Sequence, residues 1–130
     1  LHGTAREIVC LDCDERYDVD PMVELFLAHD SVPPCPNCCG RLKHATISFG
    51  QSLPREVLAE SMELASDCDL FLAIGSSLVV EPAASLPRLA QESGAKLVII
   101  NRDPTPQDGL ADAVINDGIG ATLAAIDEQL

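Results

Sequence analysis

The 130 residues read as an α/β protein: half of a doubly wound parallel sheet carrying a small four-cysteine metal ribbon. Near the start, "CLDC" and "CPNC" place Cys10 with Cys13 and Cys35 with Cys38 in two pairs of knuckle spacing. From residue 45 onward, apolar runs such as "DLFLAIG" and "KLVIIN" alternate with amphipathic stretches. Such runs lack period-two alternation, so they read as strands covered on both faces, and in a β-α-β series that means a parallel sheet.

Taken in order, residues 5–43 form the metal-binding module. The short strands "REIV" and "ERYD" flank the first knuckle, and "PPCPNCCGRL" carries the second. Between them "DPMVELFLAHD" suits a short amphipathic helix with Asp20 as cap and Pro21 in its first position. His29, at its end, is a polar terminus where a helix favours a cationic imidazole. Residues 44–130 hold the α/β part, and residues 1–4, with His2, join the two. Here "ATISF" is a strand, "PREVLAESMELASD" a helix opened by Pro54, "DLFLAIG" a buried strand, and "EPAASLPRLAQESG" a helix with a kink expected at Pro87. "KLVIIN" is a strand, "RDPTPQDGL" a loop, "AVIN" a strand and "GATLAAIDEQL" a closing helix.

Composition narrows the class. A chain of this length fits one ordinary domain, and with 47% apolar residues it is expected to fold as one compact unit burying roughly two-thirds of its unfolded surface. No apolar run approaches the ~18 residues of a membrane span, and the first residues lack the layout of a secretory signal. The expectation is therefore a soluble cytoplasmic protein. Its start at Leu1 suggests a piece processed or excised from something longer. A formal charge of -13 with only eight Lys and Arg disfavours nucleic acid. Such a surface attracts a basic partner such as a lysine-rich peptide, although plain solubility is the simpler reading of acidity alone.

Six cysteines are too few for a disulfide-dense scaffold. Four thiolates on two knuckles complete a tetrahedron around zinc, with Zn–S near ~2.3 Å, and leave no position for water. The ion is thus expected to be structural. Cys39 and Cys68 are given no role, Cys68 being read as a small buried apolar residue.

In open α/β sheets ligands bind beyond the carboxyl ends of the strands. After "DLFLAI" come Gly75, Ser76 and Ser77, whose hydroxyls and following helix start suit a ribose or phosphate. After "LVII" comes Asn101, able to hydrogen-bond a ribose hydroxyl. After "AVIN" comes Gly118-Ile119-Gly120, a partial dinucleotide fingerprint with Leu123 in place of its last glycine. Each alone reads as an ordinary βα turn, and three in succession weigh a cofactor cleft equally with ordinary turns. Neither Gly75-Ser76-Ser77 nor Gly50-Gln51-Ser52 completes a hydrolase G-x-S-x-G elbow. By spacing alone His2 has no role.

In this order, "LHG", "CLDC" with "CPNC", "FGQSLP", "GSSLVVEPA", "IINRDPTP" and "ADAVI" resemble the C-terminal half of a sirtuin, an NAD-dependent protein lysine deacylase. The resemblance spans essentially the whole chain. It implies the C-terminal part of a Rossmann-like NAD-binding domain with a structural zinc on Cys10, Cys13, Cys35 and Cys38. It implies His2 as the catalytic base, and contacts to NAD from Gly75, Ser76, Ser77, Asn101, Arg102, Asp103 and the backbone near Ile119. An acyl-lysine peptide would add as a strand between "ISFG" and "VVE", at Ile47, Phe49, Gly50, Val80 and Glu81. Gln51 stands where the family usually has glutamate, and "LKHATISFG" departs from its more familiar Arg-Pro-Asp-Val-Val run, which leaves the acyl-chain preference open. The family's Gly-Ala-Gly phosphate loop and Asn-Ile-Asp nicotinamide pocket belong to an N-terminal half that these residues do not include. The expectation is weak NAD binding and little turnover by the 130 residues alone, with the missing half or another chain needed to cover the sheet. A non-catalytic zinc-ribbon binding module and ADP-ribosyl transfer remain as rival readings.

Overall fold

The computed structural model describes residues 1–129. Leu130, the last residue of the expected closing helix, lies outside the described residues. The chain divides into two compact units, Leu1–Pro54 and Arg55–Leu130, rather than the single unit expected from its length. The physical reason is that the first unit is organised around four sulfurs and the second around an aliphatic core.

The first unit is a three-stranded antiparallel sheet, in the order β2 (Arg16–Asp18), β1 (Gly3–Cys10), β3 (Leu42–Thr46). Ile8 lies opposite Tyr17 on one side and His44 on the other. Between Gly3 and Ile8 the β1–β3 register shifts, and Gly3 makes that irregularity possible. Its φ is +71°, and a Cβ there would lie 2.0 Å from the Ala45 carbonyl oxygen. The third strand sits at Leu42–Thr46 instead of 45–49, because it is defined by pairing with β1, and the backbone then turns at Ser48–Gln51. Helix α1 (Val19–His29) begins after Asp18, which is extended and makes no side-chain cap. Asp20 and Pro21 are therefore inside the first turn, where a missing N–H costs no helical bond. The helix ends on Asp30 in the left-handed conformation, φ 49°.

The second unit is a parallel sheet in the order β4 (Leu70–Ile74), β5 (Lys96–Ile100), β6 (Ala113–Ile115), with α2 (Arg55–Asp67), α3 (Ser85–Glu92) and α4 (Ile119–Asp127) as its helices and a 3-10 turn at Asp108–Leu110. The central strand β5 fits its continuous apolar sequence: Leu97, Ile99 and Ile100 are essentially solvent-free and form the core with Ala73 and Leu78. Strand β4 departs from expectation. Its sequence reads as doubly covered, yet Leu70 and Leu72 are about half exposed, at 53% and 48%, because β4 is an edge of this three-stranded sheet. An open apolar depression of about 300 Å³ beside it is lined by Leu64, Cys68, Leu70 and Leu72 among others. Pro87 does not kink α3: it is the third helical residue, buried in the first turn, where no intrahelical donor is needed. Cys68 is half-buried rather than buried, its thiol donating to the Ala65 carbonyl.

Candidate functional site

The two cysteine pairs adopt the same backbone knuckle. In the first, the Cys10 carbonyl accepts the Asp14 N–H at 3.1 Å, and the Cys10 N–H donates to the Glu15 carbonyl at 2.9 Å. In the second, the Cys35 carbonyl accepts the Cys39 N–H at 2.8 Å and the Cys35 N–H donates to the Gly40 carbonyl at 2.9 Å. The residue after each pair, Asp14 and Cys39, is left-handed at φ 59° and 61°. That conformation turns the chain tightly enough for both thiols of a pair to face one point, and it accounts for Cys39 as a knuckle residue rather than a ligand. The Leu11 N–H joins the knuckles through the Arg41 carbonyl, and the Asp12 carboxylate accepts the Arg41 N–H at 2.9 Å. A side chain at Gly40 would meet that carboxylate at 2.5 Å.

All four sulfurs lie within 4.8 Å of one another, Cys10 and Cys38 at 3.5 Å and Cys13 and Cys35 at 3.8 Å. A tetrahedron with Zn–S bonds of ~2.3 Å has sulfur–sulfur edges of about 3.8 Å. The donor set and spacing therefore fit a structural zinc ion, which would join the two knuckles. Hydrogen bonds to sulfur complete the arrangement: the Asp12 N–H donates to Cys10 at 3.4 Å and the Tyr17 hydroxyl to Cys35 at 3.2 Å. Burial pushes the Cys35 thiol up, but the Tyr17 hydroxyl and the backbone N–H groups of Cys38 and Asn37 outweigh it and bring it down to about 6. The Cys38 thiol, sharing protons with Cys13 first of all, is pushed up to about 12. Sharing the proton with Cys35 raises the Tyr17 hydroxyl, so Tyr17 remains a donor.

His2 is exposed and immediately precedes β1. Its carbonyl accepts the Ile47 N–H at 2.9 Å, so the structure brings the expected base together with the first expected peptide-binding residue. Ile47 leads into a turn closed from both sides, with the Gln51 N–H on the Ser48 carbonyl at 3.0 Å and the Ser48 N–H on Gln51 Oε1 at 2.8 Å. Phe49 projects from it, 94% exposed, and Gly50 supplies a φ of +88°.

At the carboxyl edge of the second sheet, the Gly75 N–H donates to the Ile100 carbonyl at 2.9 Å, and the Asn101 N–H to the Ile115 carbonyl at 3.1 Å. Gly75 has φ +65°, and a Cβ there would come within 2.7 Å of Ile119 Cδ1. Gly75, Asn101 and Ile119, from three separate turns, thus share one edge. Ser76 Oγ accepts the Leu78 N–H, Ser77 is exposed, and Asn101 Nδ2 donates to the Asp103 carbonyl at 2.7 Å, fixing the turn that carries Arg102. Val80 and Glu81 lie in the same unit, Glu81 accepting a hydrogen bond from Ser85.

A knuckled four-cysteine site in one unit and a glycine-serine turn on a parallel sheet edge in the other coincide with the sequence profile described as "Sir2 family", which the chain matches over residues 1–82. The chain belongs to the Sir2 family. Similar curated Sir2 relatives include a Rhodopseudomonas palustris protein named "NAD-dependent protein deacetylase", 52% identical over 95% of this chain and 49% of its own length. Among solved structures, one described as "Sir2-p53 peptide-NAD+" is 34% identical with a TM-score of 0.91, covering 99% of this chain and 53% of its own. Another, "Structure of Sir2Tm bound to a propionylated peptide", is 35% identical with a TM-score of 0.91 over 99% and 54%. This Sir2-family chain spans about half the length of the relatives it matches.

Three site residues escape the sequence reading. Tyr17 was visible only as an aromatic in a short strand, and Asp12 only as a spacer within "CLDC". Asn116, at the end of "AVIN", donates from Nδ2 to the Asn101 carbonyl at 3.0 Å. Each acts through a partner distant in sequence, which no local pattern reveals.

Proposed function

We propose that this chain is the zinc module and C-terminal part of the cofactor-binding domain of an NAD-dependent protein lysine deacylase, completed by a further half that covers β4. The observation that carries the reading is the shared edge of Gly75, Asn101 and Ile119 in a Sir2-family chain. A glycine with positive φ lets the backbone approach a phosphate or ribose closely, and Asn101 and Ser77 supply hydrogen-bonding groups beside it. NAD is the co-substrate of the proposed reaction, in which the acyl group passes to ADP-ribose with release of nicotinamide. His2 would take the proton from the nicotinamide ribose once the acyl-lysine carbonyl oxygen has attacked the anomeric carbon, general-base work that suits an imidazole. By resemblance to the family, Ile47, Phe49, Gly50, Val80 and Glu81 would contact the acyl-lysine peptide, mainly through main-chain hydrogen bonds. The structure described with a propionylated peptide supports an acyl-lysine substrate. The exposed apolar side chains of β4 and the relatives' greater length support a covering half.

The same reading places the protein in the cytoplasm, where a reducing milieu keeps thiols available to zinc. Among the described residues no helix is long and apolar enough to cross a membrane. The test is nicotinamide release from NAD with an acetyl-lysine peptide, using the whole protein that carries this chain. His2→Tyr should abolish release; undiminished release would reject the assignment. Zinc binding without any turnover by the whole protein would favour a non-catalytic binding module instead.

A further inference from the structure

Gln107 belongs to neither cysteine knuckle and to none of the turns assigned to NAD, yet it is only 4% exposed. Its side-chain amide is half satisfied. Nε2 donates to the Ala84 carbonyl at 2.5 Å, while Oε1 is buried without a hydrogen-bond partner among the described residues. Turning the amide over would set two oxygens against each other, so the donor must face Ala84. Leucine or methionine would fill the same space without stranding a buried acceptor, which is unfavourable. What the position requires, then, is the donor.

The segment that presents Gln107 is itself braced. The Asp108 carboxylate accepts from the Thr105 N–H at 3.1 Å and from Thr105 Oγ1 at 2.6 Å, and Thr105 Oγ1 accepts the Gln107 N–H at 3.3 Å. This bracing follows directly on the Asn101–Asp103 turn. At the other end, the Ala84 N–H closes onto the Val80 carbonyl at 3.0 Å, and the Ser85 and Leu86 N–H groups onto Pro82 and Ala83 at 3.0 and 3.2 Å. One side-chain amide therefore ties the rigid loop after β5 to the turn that begins at Val80 and Glu81.

We infer that Gln107 is a positioning residue for peptide recognition, holding the Val80–Ala84 turn at a fixed place against the cofactor-side loop. Its consequence for turnover rests on the deacylase reading above, whereas the hydrogen bond is measurable on the chain alone. In the unsubstituted chain, the Gln107 side-chain amide protons should exchange at least about tenfold more slowly than those of exposed Gln51, as a buried bonded donor does. Equal rates would overturn the inference without need of any variant. Gln107→Met, similar in size but lacking the donor, should speed amide exchange at Ala84, Ser85 and Leu86 by about five- to tenfold, the loss of one net hydrogen bond. Leu97 and Ile99 should be unaffected. In the whole protein the same variant should raise KM for an acyl-lysine peptide about three- to tenfold, with kcat and KM for NAD within about twofold, the signature of lost uniform binding. Unchanged exchange at Ala84 overturns the brace, and faster exchange with an unchanged peptide KM overturns the positioning role. Absence of turnover in the unsubstituted whole protein instead refutes the deacylase reading and the recognition role with it, while the exchange rates still decide the bond.

Discussion

Gly3→Ala is the sharpest test of how the first unit is built. The substitution leaves polarity unchanged and adds one methyl group. At φ +71° a Cβ costs about 1–2 kcal/mol in the left-handed region. The new methyl would stand 2.0 Å from the Ala45 carbonyl oxygen and 3.1 Å from the Ala45 carbonyl carbon and the Thr46 Cα. An ordinary carbon–oxygen contact is above about 3.3 Å, so β1 and β3 must separate by more than about 1 Å. Backbone atoms cannot yield as a flexible side chain would. Separation breaks the hydrogen bond from the Ile47 N–H to the His2 carbonyl, worth about 1 kcal/mol. Together these come to about 2–3 kcal/mol, a large share of a small unit's stability. Denaturant unfolding of the zinc-loaded chain reads it directly, because Tyr17, the single tyrosine of a chain with no tryptophan, reports on the first unit alone. Amide exchange at Ile47 should quicken in parallel. Gly120→Ala, in α4 of the second unit, where a Cβ meets nothing within 4 Å among the described residues, is the control and should leave the Tyr17 transition unchanged. A Gly3→Ala chain within about 0.5 kcal/mol of the parent, with Ile47 protected as before, would refute the close-approach argument.

Metal analysis should find one zinc per chain, and chelation should unfold the first unit before the second, since a tetrathiolate ion contributes folding energy directly. Tyr17→Phe, which removes the hydroxyl donor to Cys35, should weaken zinc binding by about 10- to 100-fold in chelator competition; an unchanged affinity would deny the hydroxyl any part in the site. The exposed Lys96–Asp112 pair, at 2.7 Å, gives a pH dependence. The hydrogen bond with Lys96, followed by that from the Leu97 N–H, holds the Asp112 carboxyl below its usual range, and the same partner raises Lys96. A depressed carboxylate contributes stability that is complete above its unfolded pKa of about 3.9 and is lost as pH falls through the lower folded value. A raised lysine contributes fully below about 10.4 and loses its contribution as pH rises beyond. The pair's contribution should therefore be level from about pH 5 to 9, and Asp112→Asn should shallow the acid limb of the unfolding midpoint. An acid limb of undiminished slope in that variant would exclude the pair from the acid response.

Where the causes are local, the amino-acid order was enough. Cysteines three positions apart, in two such pairs, announce a four-thiolate site because each knuckle is a contact among near neighbours in the chain. The apolar run "KLVII" announces a central parallel strand because burial on both faces requires apolar side chains at every position. Gly75, Asn101 and Ile119 were legible as strand-end residues for the same reason, since a parallel sheet brings the carboxyl ends of its strands to one edge.

Tertiary structure decided whatever depends on partners far along the chain. The third strand moved to Leu42–Thr46 because pairing with β1, and not its own propensity, sets its limits. Strand β4 carries the apolar sequence of an interior strand while standing at an edge, since burial belongs to the neighbours a strand has and not to the residues it contains. Tyr17 on Cys35, Asn116 on the Asn101 carbonyl and Gln107 on Ala84 are single hydrogen bonds across 18, 15 and 23 positions. No periodicity encodes such bonds, because each requires two remote backbones to be brought within about 3 Å before either side chain acquires its role.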